Sequence, residues 1–117
     1  MTDRSIIEVV DKQLKAYNER NLEEFLSCYI DNVPVLAFPS QKEILEISGK
    51  AFANRYKKLF ENSPNLHCRL VSRCIEGNIA IDQELVTGFN GLETKTAVAI
   101  YQIENGKITK VWFVKDI

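Results

Sequence analysis

"VAIYQIENGKITKVWF", residues 98–113, decides the fold. Two runs of alternating residues flank Asn105-Gly106. Asn-Gly between such runs is the strongest local signal for a two-residue hairpin, because both turn positions need φ > 0. Gly77-Asn78 and Asn90-Gly91 repeat the signal upstream. Each turn fixes a register: Glu76 faces Ile79, Phe89 faces Leu92 and Glu104 faces Lys107. A four-stranded antiparallel meander follows, near 66–76, 79–89, 92–104 and 107–116.

These registers put Ile81 opposite Cys74 and Ile100, and Ile100 opposite Val111. Gln83 falls opposite Ser72 and Val98, and Val98 opposite Phe113. One face then carries Cys68, Cys74, Ile81, Val98, Ile100, Val111 and Phe113 and is almost wholly apolar, so it is expected to pack under helices. The other face is mixed and carries Arg73, Asp82, Glu84, Ala97, Ala99, Tyr101 and Trp112.

The first half of the chain reads as helices. Ile6, Val10, Leu14 and Tyr17 recur on one helical face. Ser5 and Glu8 have capping-box spacing, and Thr2 offers an earlier start. A short second helix begins after Asn21, with Glu24 three residues on. "VPVLAF" and "EILEI" read as two short strands joined by "PSQK", Pro34 placing the first at an edge or a strand start. Ser48 or Gly49 opens a third helix, with Phe52, Tyr56, Leu59 and Phe60 on one face and "NSP" at its end.

Composition narrows the classes of function. The 117 residues suffice for one domain, 1–117, and no linker divides them. Apolar residues make up 45% and charged residues 26%, with a net charge of −1. This balance speaks against a nucleic-acid or membrane surface. The start "MTDRSIIEVVDKQ" is too polar and acidic for a signal or transit peptide, so the expected location is cytoplasmic. Cys28, Cys68 and Cys74 are odd in number and lack C-x-x-C spacing, and His67 is the lone histidine. Buried free thiols are expected, with no metal site and no cofactor.

Helices followed by a curved antiparallel meander make an α+β cone, the sheet wrapped around three N-terminal helices. The order of "AYNERNLEEFLSCY", "GKAFANRYKKLF", "NLHCRLVSR" and "AVAIYQIENGKITKVWF" resembles the nuclear-transport-factor-2-like superfamily, a cystatin-like roll. Within it the chain is most similar to small SnoaL-like bacterial proteins, a group often labelled steroid delta-isomerase. The resemblance covers essentially the whole chain and implies a fold more strongly than an activity, since the superfamily hosts isomerases, cyclases, dehydratases, epoxide hydrolases and binding domains. A ketosteroid isomerase uses a carboxylate base and two oxyanion donors, a tyrosine and a protonated aspartic acid. By that resemblance these roles fall at Ala37, Gln13 and Ile100, and none can be filled. The hairpin of residues 98–113 then supplies walls rather than chemistry.

Two classes of function stay open. The first is a non-catalytic domain binding a small neutral apolar ligand, lined by Phe38, Tyr56, Phe60, Val98, Ile100 and Phe113. Gln83 and Ser72 would be its polar feature, unless Gln83 is bonded internally to Ser72 or to a helix tyrosine. The second is a lyase, isomerase or cyclase using Asp82, Glu84 and Arg73, with His67 a further candidate. An arginine–carboxylate cluster of this kind resembles epoxide-hydrolase chemistry in the superfamily, which needs the cluster inside the pocket. The two classes separate on the side to which Asp82 and Glu84 point, and the registers above point them outward. A homodimer is expected through the outer face, with Arg73, Asp82, Tyr101 and Trp112 beside Val71, Val86 and Val114.

Overall fold

The computed structural model describes residues 2–89 and 93–117, so the Asn90-Gly91 turn lies outside the described residues. The first helix, α1 (Asp3–Glu19), is capped by Thr2: its hydroxyl accepts from the Ser5 amide at 3.2 Å, and the Ser5 hydroxyl accepts from the Thr2 amide at 3.2 Å. The capping pair is thus Thr2 with Ser5, one turn earlier than Ser5 with Glu8. Arg20 ends the helix in the left-handed region, at φ 52°, and turns the chain into α2 (Leu22–Ser27). The Asn21 side chain caps α2 by accepting from the Glu24 amide at 3.2 Å.

Of the two short strands expected before the third helix, only β1 (Val35–Phe38) forms. Residues 43–47 make a single bridge, Leu36 to Glu43, and then turn, with the Ile47 amide bonding back to the Ile44 carbonyl. This strap places Ile44 over the core. A 3-10 turn at Gly49–Ala51 leads into α3 (Phe52–Asn62).

The remaining strands are β2 (His67–Glu76), β3 (Ile79–Phe89), β4 (Glu93–Glu104) and β5 (Lys107–Val114), in the spatial order β1-β5-β4-β3-β2. The meander has the expected order. It is extended by β1, which runs parallel to β5 with Val35 beside Val111 and Phe38 beside Val114.

The registers beside Gly77-Asn78 and Asn105-Gly106 hold, and the pairing slips at three places: within β2, within β5, and at the end of β3, where Phe89 faces Glu93 rather than Leu92. Ser72 faces Gln83 and Arg73 faces Asp82, but Leu70 faces Glu84, leaving Val71 as the extra residue of β2. On β5 the pairing shifts between Ile103↔Ile108 and Gln102↔Lys110, so Tyr101 faces Val111 and Ala99 faces Phe113. Ile100 therefore faces Trp112, not Val111. A bulge sets two residues against one and moves every later side chain to the other side of the sheet.

The concave side is the reverse of the expected one over β3 and β4. Ala80, Asp82, Glu84, Val86, Ala99 and Tyr101 are buried, whereas Ile81 is 37% exposed and Gln83 and Ser72 face out. Arg73 turns in with Asp82, and Cys74 is exposed. The reason is space. The helices bring their own bulk: the buried Phe25 ring lies 4.6–6.0 Å, centroid to centroid, from Tyr17, Tyr29, Phe52, Tyr56 and Phe60. Small residues on the concave face accommodate these rings, and the larger aliphatics of β3 and β4 go outside.

The close approach of β3 to the connection between α3 and β2 leads to a prediction. Gly88 on β3 has φ +70°, and a β-carbon there would collide with the Asn65 backbone carbonyl. Gly77 has φ +58° but opens to empty space. Gly88→Ala should lower stability by about 3 kcal/mol or more, against roughly 1 kcal/mol for Gly77→Ala, because only the first adds a backbone clash to the left-handed strain. Urea unfolding of the two variants measures this, and equal losses would refute the steric argument.

Candidate active site

A cavity of about 290 Å³ lies between α1, α3, the strap and the concave sheet face. Strand alternation builds its floor. Because side chains repeat with period 2, Asp82 on β3 forces Glu84 to the same side, and Glu84 lines the cavity while only 7% exposed. Tyr101 enters from β4, Cys68 from β2, Gln13 and Tyr17 from α1, and Tyr56 from α3.

The two carboxylates have different surroundings. Asp82 is 0% exposed and is held by a two-pronged fork from Arg73, Nε donating to Oδ1 at 2.7 Å and Nη2 to Oδ2 at 3.0 Å. The third arm, Nη1, donates to Asp11 of α1 at 2.6 Å. Bonding to Asp82 raises the Arg73 pKa further, so the guanidinium stays charged. Neither Arg73 nor Asp82 lines the cavity.

Glu84 has no such fork. Burial, and then the Asp82 charge, push its carboxyl up to about 7, while a hydrogen bond from the Cys68 thiol and the more distant Arg73 charge act the other way. The Cys68 thiol is itself raised, by burial and by Glu84, and remains protonated. The Tyr17, Tyr56 and Tyr101 hydroxyls are all raised, chiefly by burial. The site thus holds one group that exchanges a proton near neutrality, beside phenols that stay neutral donors. That is the equipment of general acid–base catalysis. Among the described residues no cluster of His, Cys, Asp and Glu is arranged to hold a metal ion.

Of the residues expected to line a pocket, Tyr56, Val98 and Phe113 do so. Phe60 is buried in the aromatic cluster, and Phe38 is 40% exposed at the end of β1. Ile100 points outward with Gln83 and Ser72, whose hydroxyl and amide bond each other at 3.0 Å on the outer face. His67 is exposed at the start of β2, away from the cavity. Trp112 lies on the outer face, its indole donating to Gln41 at 2.8 Å, but Tyr101, Asp82 and Val86 are inside and form no part of that surface.

At the positions compared with a ketosteroid isomerase, Gln13 accepts a 2.9 Å hydrogen bond from the Tyr29 hydroxyl and Ala37 is buried. The inward residues of β4 are Ala99 and Tyr101, not Ile100. No carboxylate stands at any of these places. The hairpin still does more than wall the cavity, since it contributes Tyr101. Tyr17, Tyr101 and Cys68 were not foreseen at the site. The signal for them was the Arg73–Asp82 pair opposed across two strands, on a face where Ala80, Ala97 and Ala99 leave room beside it.

Comparison with known proteins agrees with this architecture. The profile of the SnoaL-like domain matches residues 10–111. A cystatin-fold protein from Novosphingobium aromaticivorans superposes with a TM-score of 0.79 at 21% identity, over 94% of this chain and 97% of that one. An NTF2-like protein of unknown function from Cytophaga hutchinsonii gives 0.75 at 20% identity, over 95% and 89%. A SnoaL-like protein of unknown function from Burkholderia thailandensis gives 0.75 at 13% identity, over 96% and 94%. No curated protein matches the sequence.

The state of Glu84 has a measurable consequence. Its folded carboxyl sits at about 7 against an ordinary 4.5, so between those values the folded chain keeps a proton that the unfolded chain has lost. Stability from this group is therefore intact in acid and declines as pH rises through that window. Above it, ionised Glu84 costs on the order of 2–3 kcal/mol. Glu84→Gln should be more stable than the parent by about that amount in mild alkali, with the difference vanishing near about pH 4. Denaturant melts across pH test this, and a pH-independent difference would show that Glu84 is not held protonated.

Proposed function

The chain belongs to the SnoaL-like domain family, and on that footing we propose that it takes a small, largely apolar molecule into the cavity and moves a proton on it with Glu84. The observation that carries this reading is Glu84 itself, a carboxyl in the cavity wall with no cationic fork and a pKa of about 7. A base poised near neutrality is half protonated at working pH and can both accept and return a proton. The phenols at the same cavity, Tyr101 and Tyr56 from opposite walls and Tyr17 beside them, would donate to a substrate oxygen as charge develops there. Abstraction of a proton next to a carbonyl, followed by its return or by loss of a leaving group, makes the reaction an isomerisation or an elimination.

The volume supports a one- or two-ring substrate, since about 290 Å³ is at the low end of small-molecule sites, roughly 300–1,000 Å³. A ketosteroid isomerase arrangement is not what the residues provide. The epoxide-hydrolase-like use of Arg73 and Asp82 is disfavoured because that pair is closed off from the cavity.

We also read the protein as a homodimer joined through the outer sheet face. With the registers corrected, that face presents Ile81, Leu85, Ile100, Trp112 and Val71, a more apolar surface than the sequence suggested. A cytoplasmic setting accords with Cys28 and Cys68 being buried free thiols. Among the described residues no helix is long and apolar enough to cross a membrane.

Proton NMR in D2O with cyclohex-2-enone and 2-tetralone as probes tests the chemistry. The protein should speed deuterium uptake next to the carbonyl, with a rate that climbs through about pH 7, and Glu84→Gln should lower it by about two orders of magnitude or more. Uptake that survives the substitution would dismiss Glu84 as the base. For assembly, sedimentation equilibrium should return twice the 13.4 kDa chain mass, and Ile81→Asp should return the monomer. A parent protein that sediments as a monomer refutes the dimer.

A further inference from the structure

The cavity changes character with depth. At its floor stand Glu84, Tyr101 and Gln13, all buried. At its mouth stand three cations from three separate elements: Arg55 of α3, Lys95 of β4 and Lys115 just beyond β5. Among the described residues the one carboxylate that lines the cavity is Glu84, at the far end from the mouth. The chain as a whole is slightly acidic, with 16 acidic against 15 basic residues, so the cationic rim does not reflect a basic protein.

The state of these cations matters more than their number. Lys95 is engaged, with its ammonium 4.2 Å from the centre of the Phe89 ring. Arg55 and Lys115 form no ion pair and no side-chain hydrogen bond among the described residues. Arg4, Lys12, Arg73 and Lys107 each meet a carboxylate or a carbonyl of the chain, while Lys57, Lys58 and Arg69, like other surface cations, face solvent away from the cavity. Arg55 is also electrically in touch with the interior, since its charge lowers the Tyr56 hydroxyl pKa against the effect of burial. Isolated exposed lysines and arginines are ordinary solvated groups. Two without partners at one opening, above a floor whose one acid is a buried carboxyl, are a polarised site.

We infer that the molecule taken by the cavity is an acid, an apolar body whose carboxylate rests at the mouth between Arg55 and Lys115. The guanidinium of Arg55 offers the planar fork that matches a carboxylate, and Lys115 adds a mobile point charge. The apolar body would lie against Ile44, Ile47, Leu59, Val86 and Phe113. In the reversed pose two carboxyls would share one buried wall, where both cannot ionise, so the carboxylate also orients the ligand and turns its other end toward Glu84 and the phenols. Sequence analysis pointed to a neutral ligand because it placed Gln83 inside; with Gln83 outside, that argument lapses.

This inference rests on the cavity being the ligand site, as proposed above, and the experiment separates the two. 2-Naphthylacetate and its neutral N-methyl amide share one apolar body and differ in charge. Titrated calorimetrically into the full chain at low salt, the acid should bind about tenfold more tightly than the amide. That gap should shrink with added salt, because the cations are exposed. In the double variant Arg55→Gln with Lys115→Gln the acid should lose its advantage, the two probes coming within about twofold of each other. Equal affinities for the parent, a gap that the double variant leaves intact, or binding of neither probe would each overturn the inference. Equal affinities together with Glu84-dependent deuterium uptake would remove the acid and leave proton transfer standing. A charge preference lost in the double variant, without any deuterium uptake by the parent, would keep the acid and remove proton transfer.

Discussion

The fork between Arg73 and Asp82 decides which way the sheet faces. An ionised aspartate at 0% exposure is tolerated only where its lone pairs are met and its charge is balanced, and removing one partner of such a pair typically costs about 3–5 kcal/mol. Both requirements are satisfied by one guanidinium, whose third arm reaches Asp11 and so ties α1 to the sheet. Once Asp82 is inside, the period of a strand brings Glu84 inside as well, and among the described residues no second arginine receives it. The uncompensated carboxyl at the cavity is a geometric by-product of the compensated one behind it.

The rest of the site is held by polar clips that set helix against strand. The Asn18 side chain treats the backbone of Cys68 as a neighbouring strand would, accepting from its amide at 2.7 Å and donating to its carbonyl at 3.0 Å. Arg20 adds a bond to the Leu66 carbonyl at 3.1 Å. These contacts fix the end of α1 immediately after Tyr17, which is why that ring sits beside the floor residues. On the opposite wall, the bulge in β5 brings Val111 and Phe113 to the same side as Tyr101. Without it Phe113 would point outward, and the cavity would lose an apolar wall.

Most of the architecture was legible in the sequence, because it is written in short-range terms. Asn105-Gly106 and Gly77-Asn78 set their hairpins, Asn21 caps α2, and the apolar spacing of α3 marks its buried side. The parallel pairing of β1 with β5 was not legible, since nothing local in "VPVLAF" names a partner so distant in the chain. The bulges on β2 and β5 were not legible either: each is a single residue, Val71 and one near Thr109, with no sequence signal of its own. Hydrophobicity then misled over β3 and β4. Isoleucines alternate there with alanines and acids, and the rule that the more apolar face is the inner one chose the isoleucines. The rule fails because the helices already fill the concave space with aromatic rings, and because Asp82 brings its own counter-ion.

The borders of the sheet carry a further consequence. On one side β2 presents an arginine, Arg69, and a bulge at Val71 to solvent, and on the other β1 is four residues long and stops at Pro39. Charge, irregularity, brevity and proline are the means by which strands are kept from adding further strands. The backbone therefore offers no straight, open ladder on either border for another chain to continue. A contact between copies would then have to be made by side chains on the broad face, where it would be short-ranged and saturable. Growth by the addition of strands, the route to fibres, is closed by the same irregularities that hid the registers.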